Sequence, residues 1–148
     1  MKAALLAHLI GALIWIGGMF FAYFALRPAA AALDPAQRLA LWAATLGRFF
    51  RWVWISVVLI LGSGFYMLTV IAGAARVPLN IHVMLYVGVA MTFIFAYVFL
   101  LPFSELRRAV AAQDWQAGAT ALESIRKAVA VNLALGLMNV AVATLGPL

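Results

Sequence analysis

The chain has 148 residues, 68% of them hydrophobic and only 9% charged, and its mean hydropathy is +1.12. A soluble domain keeps roughly 25% charged residues, so this chain uses lipid as its solvent. The net charge is +6 and there is no cysteine, which excludes disulfides, thiolate metal sites and iron–sulfur clusters.

The first hydrophobic run, Ala3 to Leu26, carries no charge and contains His8. A bilayer-spanning helix needs about 20 apolar residues, so the run is long enough. It exceeds the core of a signal peptide and is read as a retained helix. An ionisable side chain inside such a helix is costly and marks a candidate functional position. His8, Gly11, Ala12, Trp15, Gly18 and Ala22 share one helical face. That face is small residues beside one large aromatic. It suits close helix packing, and it equally suits a flat ligand.

Leu33-Asp34-Pro35 then reads as a hydrophobic staple, N-cap and first-turn proline. The helix they start is expected to lie at the interface before turning into a second span, Phe49 to Ala75. Gly73 to Asn80 forms a tight hairpin into a third span, Pro78 to Leu101. Beyond it, Ser104 is expected to cap one short helix and Asp114 another, the latter running toward a fourth span, Ala128 to Leu145. All four spans must be helical, because an open sheet cannot satisfy its backbone in lipid. The expected fold is one all-α domain over 1–148, a four-helix transmembrane bundle with amphipathic interfacial helices in two connections.

Charge sets the orientation. Arg27, Arg38, Arg48, Arg51, Arg107, Arg108, Arg126 and Lys127 lie on one side, with Lys2 and Arg76 on the other. The positive-inside rule places the arginine-rich side in the cytoplasm. Both termini then face the periplasm of a bacterial inner membrane. The same charges suit anionic lipid headgroups better than nucleic acid. No carboxylate lies inside a span, so no acidic proton relay is expected.

His82, the other histidine, sits near the start of the third span. Both histidines enter from the outer side, His8 at roughly 8 Å depth, and facing helices could bring them together. Two imidazoles can serve as axial ligands of a haem iron or as copper donors. Met84 follows His82 by two residues and points elsewhere on a helix. Asn132 and Asn139 share a face of the fourth span and are expected to hydrogen-bond across helices. Tyr66, Tyr86 and Tyr97 read as packing or interface residues, and Trp52, Trp54 and Trp115 as an inner aromatic belt. No nucleophile–base pair or phosphate loop is present, so hydrolytic chemistry has no residues to carry it.

These residues carry a resemblance. His8 and Trp15 followed by Gly17-Gly18-Met19-Phe20-Phe21 and Leu26-Arg27-Pro28 look like the start of the CopD-like membrane proteins. So do Arg48-Phe49-Phe50 with Trp52 and Trp54, His82 with Met84, and Leu106-Arg107-Arg108. Ile125-Arg126 through Val131-Asn132-Leu133 and Gly136 complete the pattern. The resemblance implies a link to periplasmic copper. The layout is also similar to HemJ, a haem-linked membrane oxidase, where His8, Trp15 and Gly17 or Gly18 would match and His82 replaces a lysine. The leading expectation is one haem b between His8 and His82, with Gly11, Trp15 and Gly18 against the ring, for electron transfer with a quinone or a periplasmic copper species as partner. A copper-handling protein using the same two histidines is the alternative. A cofactor-free subunit of a larger membrane complex is the third. Ala7 with Gly11 and Gly18 with Ala22 suit a homo-oligomer contact or the bundle interior equally.

Overall fold

The computed structural model describes residues 1–74 and 76–145. The expected end of the second span at Ala75, and residues 146–148 of the single domain, lie outside the described residues. Every element is helical. They are α1 (Lys2–Phe21), a π-helical turn (Ala22–Leu26), α2 (Arg27–Ala30), α3 (Pro35–Ala74), α4 (Leu79–Leu100), α5 (Pro102–Ala111) and α6 (Trp115–Leu145). Four stretches are long and apolar enough to cross a membrane: Lys2–Ala30, Pro35–Gly73, Leu79–Ala111 and Trp115–Leu145.

Local chemistry explains the breaks. The π-helical turn lies just before Pro28, whose ring would meet the Phe24 carbonyl in a regular helix. The wider turn gives that ring room. Asp34 caps α3, its Oδ1 accepting from the Gln37 N–H at 3.0 Å. Asp114 does the same for α6 through the Ala117 N–H at 3.0 Å. Leu101 leaves the helical region (φ −108°, ψ −83°) because Pro102 disfavours α geometry in the residue before it. That kink separates α4 from α5. Gln113 turns the chain from α5 to α6 with a left-handed φ of 56°, and the Asp114 N–H closes back on the Ala109 carbonyl at 2.9 Å.

Two expectations about the connections are corrected. The amphipathic stretch after Asp34 does not turn at the interface: it continues without a break as the first half of the 40-residue α3. Such a helix is about 60 Å long, twice the roughly 30 Å apolar core of a bilayer, so part of it lies outside that core. Helical hydrogen bonding runs on through Gly47, the one glycine near the expected turn. Ser104 caps nothing. It lies inside α5, which starts at Pro102, because proline suits the first helical position.

The helices pair antiparallel, α1 on α3 and α4 on α6. On α1 and α3, Gly11 lies against Ile60 and Gly18 against Phe49. On α4 and α6, the Asn132 amide donates to the Met91 carbonyl and the Asn139 amide to the Met84 carbonyl, each at 3.3 Å. Both asparagines thus bond across helices as expected. The two pairs are joined mainly on the arginine-rich side. There Leu39, Leu46, Phe50, Phe95, Phe103 and Leu106 are buried, and an aromatic cluster runs Trp15–Phe95–Phe50–Phe103 edge to face. Tyr66, Tyr86 and Tyr97 are exposed on the outside of the bundle, as are Trp52 and Trp54.

Candidate functional site

His8 sits two turns into α1, facing α3. Its Nδ1 lies 3.1 Å from the Ile60 carbonyl and 3.0 Å from Ser63 Oγ. A carbonyl can only accept, so Nδ1 carries the proton. The Ser63 hydroxyl in turn donates to the Leu59 carbonyl, which leaves its oxygen free to accept from His8. Gly64 lies beside the ring, where a Cβ would sit in ordinary contact at 3.5 Å from His8 Cε1. The ring is therefore fixed through Nδ1, and in the neutral imidazole Nε2 keeps its lone pair. Tying one nitrogen to a protein acceptor is how proteins orient metal-ligating histidines.

His82 sits one turn into α4. Its Nδ1 lies 3.2 Å from the Pro78 carbonyl of the preceding turn. By the same argument Nδ1 carries a proton, and in the neutral imidazole Nε2 keeps the lone pair. The side chain is exposed. Both histidines therefore present the same nitrogen from the end of the bundle opposite the arginine-rich one.

The structure does not join them. His8 is bound into the α1–α3 pair and His82 belongs to the α4–α6 pair, and no hydrogen bond or shared partner links them among the described residues. Among those residues no three His, Asp or Glu side chains converge to hold a metal. The remaining face residues of α1 are accounted for by packing. A Cβ on Gly11 would come within 2.9 Å of Ile60 Cγ1 and 3.1 Å of the Ser56 carbonyl oxygen. One on Gly18 would fall 2.1 Å from Phe49 Cε2. α3 therefore covers this face at Gly11 and at Gly18. Trp15 is 3% exposed and packs edge to face on Phe95.

Ile60 and Ser63, which hold His8 Nδ1, are not identified by the sequence as partners of that residue. The Gly62-Ser63-Gly64 cluster was the available signal, since a serine between glycines in a span invites a close polar approach.

An all-helical chain with four spans, small-residue contacts between antiparallel helices and two histidines at one end defines a multi-pass membrane protein with imidazole donors on one face. The family model for copper resistance protein D matches residues 43–145, and the chain belongs to that CopD family. The match takes in three of the four spans, together with Ser63, Gly64 and His82, and begins after His8. No curated protein and no solved structure matches the chain, and nothing in these comparisons supports the likeness to HemJ.

Proposed function

We propose that the protein handles copper at the outer face of a bacterial inner membrane, with His8 and His82 as its imidazole donors and copper as cargo. The observation that carries this reading is the shared state of the two rings. Each has Nδ1 spent on a backbone carbonyl and Nε2 left as a donor, at the same end of the bundle, in a chain of a copper-resistance family. Imidazole suits copper, and two nitrogens suffice for a two-coordinate cuprous ion. Joining them requires α1 and α4 to approach at their outer ends. That half of the bundle holds little of the buried core, so the approach disturbs little packing. The eight basic residues at the opposite end support a cytoplasmic arginine-rich side and periplasmic termini.

The test is cuprous ion titration of the detergent-purified protein against a colorimetric chelator. The expected result is one equivalent of copper, lost in His8→Ala and in His82→Ala. Ser63→Ala removes one acceptor from His8 Nδ1 and is expected to weaken copper about tenfold, the lower end of the effect of losing a ligand-orienting partner. Unchanged copper in the double histidine variant overturns the reading. A Soret band in the visible spectrum, lost in the same two variants, would replace copper by haem and restore an electron-transfer role.

A further inference from the structure

The arginine-rich end of the bundle holds a cavity of about 450 Å³, lined by neither histidine. Its walls are apolar and aromatic, including Trp15, Trp42, Phe49, Phe50 and Phe95. Its mouth carries Arg27, Arg38 and Arg126 against a single carboxylate, Glu123. The volume is that of a small-molecule site.

The charges at the mouth are the informative feature. Arg126 pairs with Glu123, which also lies 3.8 Å from Lys127 Nζ. Arg27 and Arg38 are half-buried, and neither makes an ion pair among the described residues. Arginine commonly packs its stem against apolar surface and leaves its head in water, so both guanidinium groups remain available to an anion. Arg27 lies over the Tyr23 ring at 5.1 Å, which positions its charge without neutralising it. Tyr23 lies within the π-helical turn of residues 22–26 and Arg27 directly follows it, so the wider turn sets the relative position of the ring and the charge. The long axis of the cavity follows the helices: from Arg27 to Trp15 the chain rises about 18 Å. An occupant therefore lies parallel to the acyl chains of the bilayer, with its charge at headgroup level.

We propose that this cavity binds an amphiphile with one anionic head, carboxylate or phosphate, held by Arg27 and Arg38, and one acyl chain running inward toward Trp15. Two sources share that chemistry: a free fatty acid, and one chain of an anionic phospholipid from the adjoining leaflet. The site is separate from the histidines and does not depend on copper.

Native mass spectrometry of the full chain tests the proposal, using palmitate and methyl palmitate in detergent, and phosphatidylglycerol and phosphatidylcholine in nanodiscs. The wild type is expected to retain one anionic molecule per chain and neither neutral analogue. Retention of palmitate alone identifies a fatty-acid site, and retention of phosphatidylglycerol a phospholipid site. The double variant R27Q/R38Q is expected to lower occupancy at least tenfold. Ala128→Phe, which fills the cavity while keeping every arginine, is expected to abolish retention at unchanged helicity. H8A/H82A is expected to retain the ligand in full. Equal retention of charged and neutral analogues, no retention of either anion, or wild-type occupancy in Ala128→Phe overturns the proposal.

Discussion

Phe50→Ala is expected to be among the most destabilising single substitutions in this protein, at about 3–5 kcal/mol. Phe50 is 2% exposed and lies at the centre of the aromatic cluster. Its ring centroid is 5.3 Å from Phe95 on α4, 6.3 Å from Phe99 and 4.9 Å from Phe103 on α5, all edge to face. One side chain of α3 therefore holds both α4 and α5. In lipid, apolar burial provides little drive for helices to associate, since acyl chains are as apolar as leucine. Packing and dispersion contacts carry the association instead, and a lost ring removes them from three helices at once. The variant would also extend the 450 Å³ cavity that Phe50 lines, and an enlarged apolar void adds to the cost. Thermal unfolding in detergent, followed by circular dichroism, measures the effect. Limited proteolysis is expected to cut first near Ala112 to Asp114, where α5 would loosen from α3. A melting temperature within a degree or two of wild type would refute the assignment of Phe50 as the hinge of the packing.

Gly11→Leu is expected to separate α1 from α3 and to cost more than the roughly 1–3 kcal/mol typical of overpacking. Gly11 is buried, and even a methyl group there would meet Ile60 Cγ1 at 2.9 Å and the Ser56 carbonyl oxygen at 3.1 Å. The isoleucine end can move aside, but the carbonyl belongs to the backbone of α3 and cannot do so without moving the helix. His8 lies one turn away, so its bonds to Ile60 and Ser63 are expected to lengthen and copper retention to fall with stability. Gly17 supplies the control. A Cβ there has no neighbour within 4 Å, and Gly17→Ala is expected to be neutral or stabilising by about 0.5–1 kcal/mol through helix propensity. Parallel melting curves of the two variants, with matched copper titrations, separate the packing role of Gly11 from a general sensitivity of α1 to substitution.

Much of the architecture was legible without coordinates. Hydropathy located four spans, Asp34 and Asp114 declared themselves as caps, and the seven-residue spacing of Asn132 and Asn139 placed both on one face toward a partner helix. These features are local: each depends on the energy of a residue in lipid or on its bonds to the next turn. The failures were also local in origin. Ser104 has the side chain of a cap, but Pro102 two residues earlier is the stronger helix start. The stretch after Asp34 looked interfacial because its polarity was read as a boundary, whereas helical hydrogen bonding continues across a lipid–water boundary unless a residue breaks it.

The first hydrophobic run shows where the division lies. Its length, its glycine and tryptophan face and the cost of His8 within it were all set by the amino-acid order. That order could not say what covers the face. In a span that is apolar all round, lipid and protein are nearly the same solvent to a leucine or a glycine, so hydropathy does not distinguish a packed side from a bare one. Only the tertiary structure put α3 against Gly11 and Gly18, supplied Ile60 and Ser63 to His8 from more than fifty residues away, and left His82 on a separate helix pair. The cavity between Arg27 and Trp15 is of the same kind. Its walls come from α1, α3, α4 and α6, and an empty volume is a property of how helices meet.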